Sequence, residues 1–103
     1  MRGPIASLAG LLFLAACATN PVEQTTRTVA RNVVGPIVAE RFPGVPAQAL
    51  TDCIIDNAAT HELLEIAKAA TLGPGTDTYA VVLGIARRPE VLRCAAINVL
   101  PQL

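Results

Sequence analysis

PAQALTDCIIDNAATHELLEIAKAATLGPG, residues 46–75, decides the fold class of this chain. Its apolar residues recur every three or four positions. Ala47, Leu50, Cys53, Ile54 and Ala58 fall on one side of a helix, while Gln48, Thr51, Asp52 and Asp56 fall on the side expected to face water. Residues 57–60 read as a short break, with Thr60 suited to cap a second helix through Thr71. In that helix Leu63, Ile66, Ala67 and Ala70 form the expected buried stripe. Glu62 and Glu65 sit near the positive end of its dipole, and Gly73 follows where a left-handed residue closes a helix. Two amphipathic helices thus abut with no alternating run between them.

The same period extends in both directions. Upstream, Thr26, Val29, Val33 and Ile37 predict a helix from Gln24 to Arg41, kinked or restarted at Gly35-Pro36, where proline removes a donor and crowds the preceding turn. Phe42-Pro43-Gly44-Val45-Pro46 is a turn, with Pro46 expected as the first residue of the next helix. Downstream of Gly73-Pro74-Gly75, a helix capped by Thr76 or Asp77 is expected to run to Arg87 with Tyr79, Val82, Leu83 and Ala86 on one side. Gly84 inside it costs about 1 kcal/mol relative to alanine and predicts a close helix crossing. Pro89 opens a last helix, ended by Pro101, that is apolar almost all round and is therefore expected at the centre. The prediction is an all-α domain, residues 24–103, of four or five short helices.

Ahead of this domain stand Arg2, an apolar run from Ile5 to Leu14, and Leu14-Ala15-Ala16-Cys17. The run is shorter than the roughly 20 residues a membrane-crossing helix requires and matches the apolar part of a cleavable export signal. Leu, two small residues and Cys resemble the lipobox of bacterial lipoproteins. That resemblance implies removal of residues 1–16, a lipid on Cys17, and a tether over residues 17–23 holding the domain to a membrane on its periplasmic side. Ala18, rather than Asp, follows the cysteine, and by the same resemblance the outer membrane is favoured over the inner.

An exported chain changes the meaning of the other cysteines. Cys53 and Cys94 remain as one pair in a compartment where disulfides persist. A structural disulfide clamping the second helix to the last outweighs two free thiols or a redox couple, because redox pairs cluster as Cys-x-x-Cys.

Composition narrows the chemistry. Residues 17–103 carry seven basic and eight acidic side chains, interspersed, so no basic stripe points to nucleic acid. Phe42 and Tyr79 are their only aromatics, which leaves little for base stacking. They contain no serine and one histidine, excluding a Ser-His-Asp hydrolase. His61-Glu62-Leu63-Leu64-Glu65 approaches the zinc-protease pattern but lacks its second histidine. His61 and Glu65 are thus weak metal candidates, and a solvated helix start with a Glu65 to Lys68 pair is the plainer reading. Asp52 and Asp56, four residues apart, form a weak cation candidate beside the plainer reading of a solvated face. No cofactor signature is present.

Phe42-Pro43-Gly44-Val45-Pro46, the run Thr51-Asp52-Cys53-Ile54-Ile55-Asp56-Asn57-Ala58, and a second Cys after Arg88-Pro89 resemble a group of short exported proteins of alphaproteobacteria. The resemblance implies export and carries no activity to transfer. The function expected is a lipid-anchored envelope protein, a non-enzymatic interaction or accessory module. The alternatives are a small-ligand or metal-binding periplasmic protein and a small lipoprotein toxin or inhibitor.

Overall fold

The computed structural model describes residues 21–103, with side chains from residue 23 onward. Its elements are α1 (Pro21–Arg41), α2 (Ala47–Asp56), α3 (Thr60–Leu72), α4 (Thr76–Ala86) and α5 (Pro89–Asn98), followed by a 3-10 turn, Leu100–Gln102. Among the described residues there is no strand, so the all-α expectation holds with five helices. No helix among them is long and apolar enough to cross a membrane.

Of the two expectations for Gly35-Pro36, a kink or a restart, the restart is excluded, because α1 is continuous. It begins at Pro21, three residues before the expected start, and passes through Gly35-Pro36 as one helix. The proline's missing donor orphans the carbonyl of Asn32, and both Asn32 and Pro36 are exposed, so water can satisfy that carbonyl without the helix breaking. The buried line is Ala30, Val34, Ile37 and Val38, rotated from the expected one; Thr26, Val29 and Val33 are only half-buried.

α1 packs most extensively on α3 and α2, α4 packs on α3, and α5 lies mainly on α2. The core between them consists of Leu50, Cys53, Ile54 and Ile55 from α2, Leu63 and Ile66 from α3, Val82 and Ile85 from α4, and Val91 of α5 with Val99 just beyond it, against the α1 line. Thr51, expected to face water, is 2 % exposed. Because α1 and α5 hold different sides of α2, the buried arc of α2 is wider than one stripe and takes in Thr51 and Ile55. On α3 the third buried position is Ala69, while Ala67 is half-buried and Ala70 exposed. On α4 the inward line is Thr78, Val82 and Ile85, with Tyr79, Leu83 and Ala86 half-buried beside it.

Local chemistry sets the helix ends. Pro46 is the residue before α2 rather than its first, and Gly44 takes a positive φ of 88° in the turn before it. α3 is capped from inside: the backbone N–H of Ala59 donates to the Glu62 carboxylate at 2.8 Å, which is half of a capping box. At the other end Gly73, with φ 83°, closes α3 as expected. Gly75, not Thr76 or Asp77, precedes α4, and its N–H donates to Thr78 Oγ1 at 3.2 Å. Gly84 is exposed, and a Cβ there would meet nothing within 4 Å, so it marks no helix crossing.

The expectation of a central α5 is also overturned. Within this helix only Val91 is fully buried, while Leu92 is 59 % and Ile97 72 % exposed. A disulfide joins Cys53 to Cys94 with their Cα atoms 5.6 Å apart, clamping α2 to α5 as expected. Pinning the Cys94 side inward turns the opposite, equally apolar side outward.

Candidate functional site

Concave surface and polar side chains meet beside the disulfide. The Cys53–Cys94 bridge lies in a groove of about 400 Å³, bordered by Gln48, Asp52 and Asp56 from α2, and by Asn98 and Gln102 near the C-terminal end. The acidic pair is not free to take a cation. Arg31 of α1 places Nε 3.0 Å from Asp52 Oδ1, and Arg27 places Nη1 3.8 Å from Asp56 Oδ1. Arg27 also lies 3.7 Å from Glu23. These are largely solvated pairs, each contributing little to stability, but together they neutralise the wall of the groove.

Two of the three bordering amides, Asn98 and Gln102, are also committed. Asn98 Nδ2 donates to the carbonyl of Cys94 at 3.1 Å, and Gln102 Nε2 to that of Asn98 at 2.8 Å. Such bonds run along the helix and leave few donors aimed into the groove. The arrangement braces the disulfide; it does not assemble a nucleophile, a base and an oxyanion site.

The fold adds no third ligand to His61 and Glu65 among the described residues. His61 is exposed in the first turn of α3, and Glu65 accepts a hydrogen bond from Lys68 Nζ at 3.1 Å. Among the described residues no group of three His, Cys, Asp or Glu side chains is placed to hold a metal ion.

The tightest polar node was not singled out in the sequence. Glu62 meets Arg88 through two charged hydrogen bonds, one of them Nη1 to Oε1 at 2.9 Å, and Arg88 Nη1 also donates to the Asn57 carbonyl at 3.0 Å. Since Glu62 also accepts from Ala59, the Glu62–Arg88 pair ties the end of α2, the start of α3 and the turn between α4 and α5. The Arg88 hydrogen bond, outweighing partial burial and aided by the Ala59 N–H, holds the Glu62 carboxyl below the usual range. Glu62 in turn raises Arg88. A second strap joins α4 to α1: Tyr79 Oη donates to Glu40 Oε2 at 3.0 Å, and the Arg41 guanidinium lies 4.8 Å from the ring centroid. That hydrogen bond raises the Tyr79 phenol. Both nodes are structural, and only the Glu62 half-cap had a local signal, a glutamate three residues into a helix.

What the described surface does offer is apolar. Leu92, Ala96 and Ile97 face outward from α5, and beyond it Leu100 is 59 % and Leu103 68 % exposed. Together they form an outward apolar strip along α5 and the turn that follows. Cys17, the lipidation candidate, lies outside the described residues. No known family model, curated protein or solved structure matches the chain.

Proposed function

We propose that this chain is a lipid-anchored protein of the bacterial cell envelope, held on the periplasmic side of a membrane through Cys17, that works by binding another macromolecule rather than by catalysis. The lipobox Leu14-Ala15-Ala16-Cys17 supports the address. The outward apolar side of α5 and the turn after it carries the binding reading, because exposing four large aliphatic residues, Leu92 and Ile97 on the helix and Leu100 and Leu103 beyond it, to water is costly unless something covers them. The disulfide suits an oxidising compartment. Ala18 after the modified cysteine favours the outer membrane.

The test is intact mass measurement of the protein extracted from membranes, with and without reductant, beside a Cys17→Ser variant. The expected result is a chain beginning at Cys17 with added acyl mass, two hydrogens lighter before reduction, and loss of membrane association in Cys17→Ser. A chain that still carries residues 1–16 and stays on the membrane after that substitution would contradict the proposal.

A further inference from the structure

We propose that the outward face of α5 and the following turn is the interface of a two-fold homodimer, its occupant a second copy of the same face running antiparallel. The outward residues are Pro89, Leu92, Ala96, Leu100 and Leu103, and they are nearly symmetrical about Ala96. Leu92 and Leu100 stand four residues to either side of it, Pro89 and Leu103 seven. A closed two-fold contact demands a self-complementary surface, and this spacing supplies one. With Ala96 on the axis, two small side chains let the helices approach closely, Leu92 meets the partner subunit's Leu100, and Pro89 meets the partner subunit's Leu103.

Charge fits the same arrangement. Arg93 and Ile97 share one flank of the stripe, and a two-fold axis in the plane of the contact brings equal flanks together. Ile97 then packs on the partner subunit's Ile97. Arg93 lies outside that pair with its aliphatic stem over it, toward the C-terminal end of the neighbouring helix, where carbonyls favour a cation. Arg93 makes no ion pair among the described residues, so nothing within the monomer is given up.

A lipid surface fits less well. Helices that lie in the membrane interface are rich in Lys and Arg with Trp or Phe on the apolar side. α5 has Arg93 as its one basic residue, the acidic Glu90 one turn away, and no aromatic. The contact spans 15 residues, the α-helical Pro89–Asn98 followed by the 3-10 turn Leu100–Gln102, on the order of 20–25 Å in length, which places it near the small end of stable interfaces. This inference rests on the lipid-anchored reading in one respect: confinement to one membrane raises the local concentration and makes so small an interface sufficient.

The experiment places single cysteines in the full-length protein and reads non-reducing gels of intact membranes. Ala96→Cys on the axis is expected to give a homodimer band, and Leu72→Cys, equally apolar and 82 % exposed on α3, only collisional background. Adding Leu92→Asp to Ala96→Cys is expected to reduce the dimer about tenfold while the Cys53–Cys94 bond persists. Cross-linking at Ala96→Cys no greater than at Leu72→Cys overturns the inference. A photo-crosslinker at Ile97 separates the two readings. An adduct of twice the chain mass supports the dimer, an adduct with a different protein overturns the dimer but keeps the binding reading, and adducts with lipid or with nothing overturn both.

Discussion

Breaking the Cys53–Cys94 bond is predicted to release α5 before the rest of the domain. The bond closes a loop with a sequence separation of 41, which on the chain-entropy model stabilises the folded state by about 4 kcal/mol. A domain of this size has a net stability of roughly 4–12 kcal/mol, so the bond supplies a large share of it. That share falls unevenly. α1 contributes four buried core side chains, whereas α5 contributes Val91, with Val99 just beyond its end 4 % exposed. Roughly 3–6 kcal/mol from two buried valines does not offset the cost of ordering a ten-residue helix, about 1–2 kcal/mol per residue for the backbone alone, without the covalent link. The comparison is between oxidised protein, reduced protein and the Cys53→Ala/Cys94→Ala double variant, by thermal melting, urea unfolding and amide hydrogen exchange. Melting is expected to fall by roughly 15–30 °C, at about 4–8 °C per kcal/mol for a domain of this length. Exchange is expected to rise first over residues 89–103 while α1 and α3 stay protected. A loss under about 1 kcal/mol, or protection lost evenly across all five helices, would refute the reasoning.

Four further outcomes follow from single side chains. Gly84→Ala is predicted to stabilise by up to about 1 kcal/mol, because the position is helical and exposed with open space for a Cβ; a lower melting temperature would restore a helix crossing there. Thr51→Val is predicted to match or exceed wild type by about 1 kcal/mol, since the buried hydroxyl has no partner among the described residues, and a drop in urea midpoint would show that it has one. Ile54→Ala, at a fully buried position, should cost about 2–5 kcal/mol in the same assay, and a cost below 1 kcal/mol would mean the core is not where it is placed. Glu62→Gln tests the node with Arg88. The folded carboxyl titrates below its ordinary value of 4.5, so its contribution is complete above that value and is lost as pH falls through the lowered one. The gap between wild type and Glu62→Gln should therefore be widest near neutrality and close in acid; a gap independent of pH would remove the charged pair from the account.

Much of the fold was legible because helix formation here is a local property. The 3.6-residue period, the turns at Pro43-Gly44 and Gly73-Pro74-Gly75, and Pro89 at a first helical position each act within a few residues. They placed the last four helices close to their observed bounds. Gly35-Pro36 was the exception: whether proline breaks a helix depends on what surrounds the carbonyl it orphans, and that surrounding belongs to the fold.

The candidate site was less legible, because its partners are distant in sequence. Asp52 and Asp56 on one helical turn gave the appearance of a cation site, and only the packing of α1 on α2 brought Arg31 and Arg27 against them. Glu62 announced a helix start, but Arg88, 26 residues on, carried no mark of being its partner.

By itself the sequence determined that the chain is helical, where its turns fall, and that Cys53 and Cys94 form one candidate pair. Tertiary structure alone decided which arc of each helix turns inward. For α3 or α4 polar residues constrain that choice, yet neighbours still shifted it by a residue or two. For α5, apolar almost all round, the pattern has little direction of its own, and the disulfide to α2 picked the side that is buried. The side left over, Leu92 to Leu103, is the surface on which the proposed function depends.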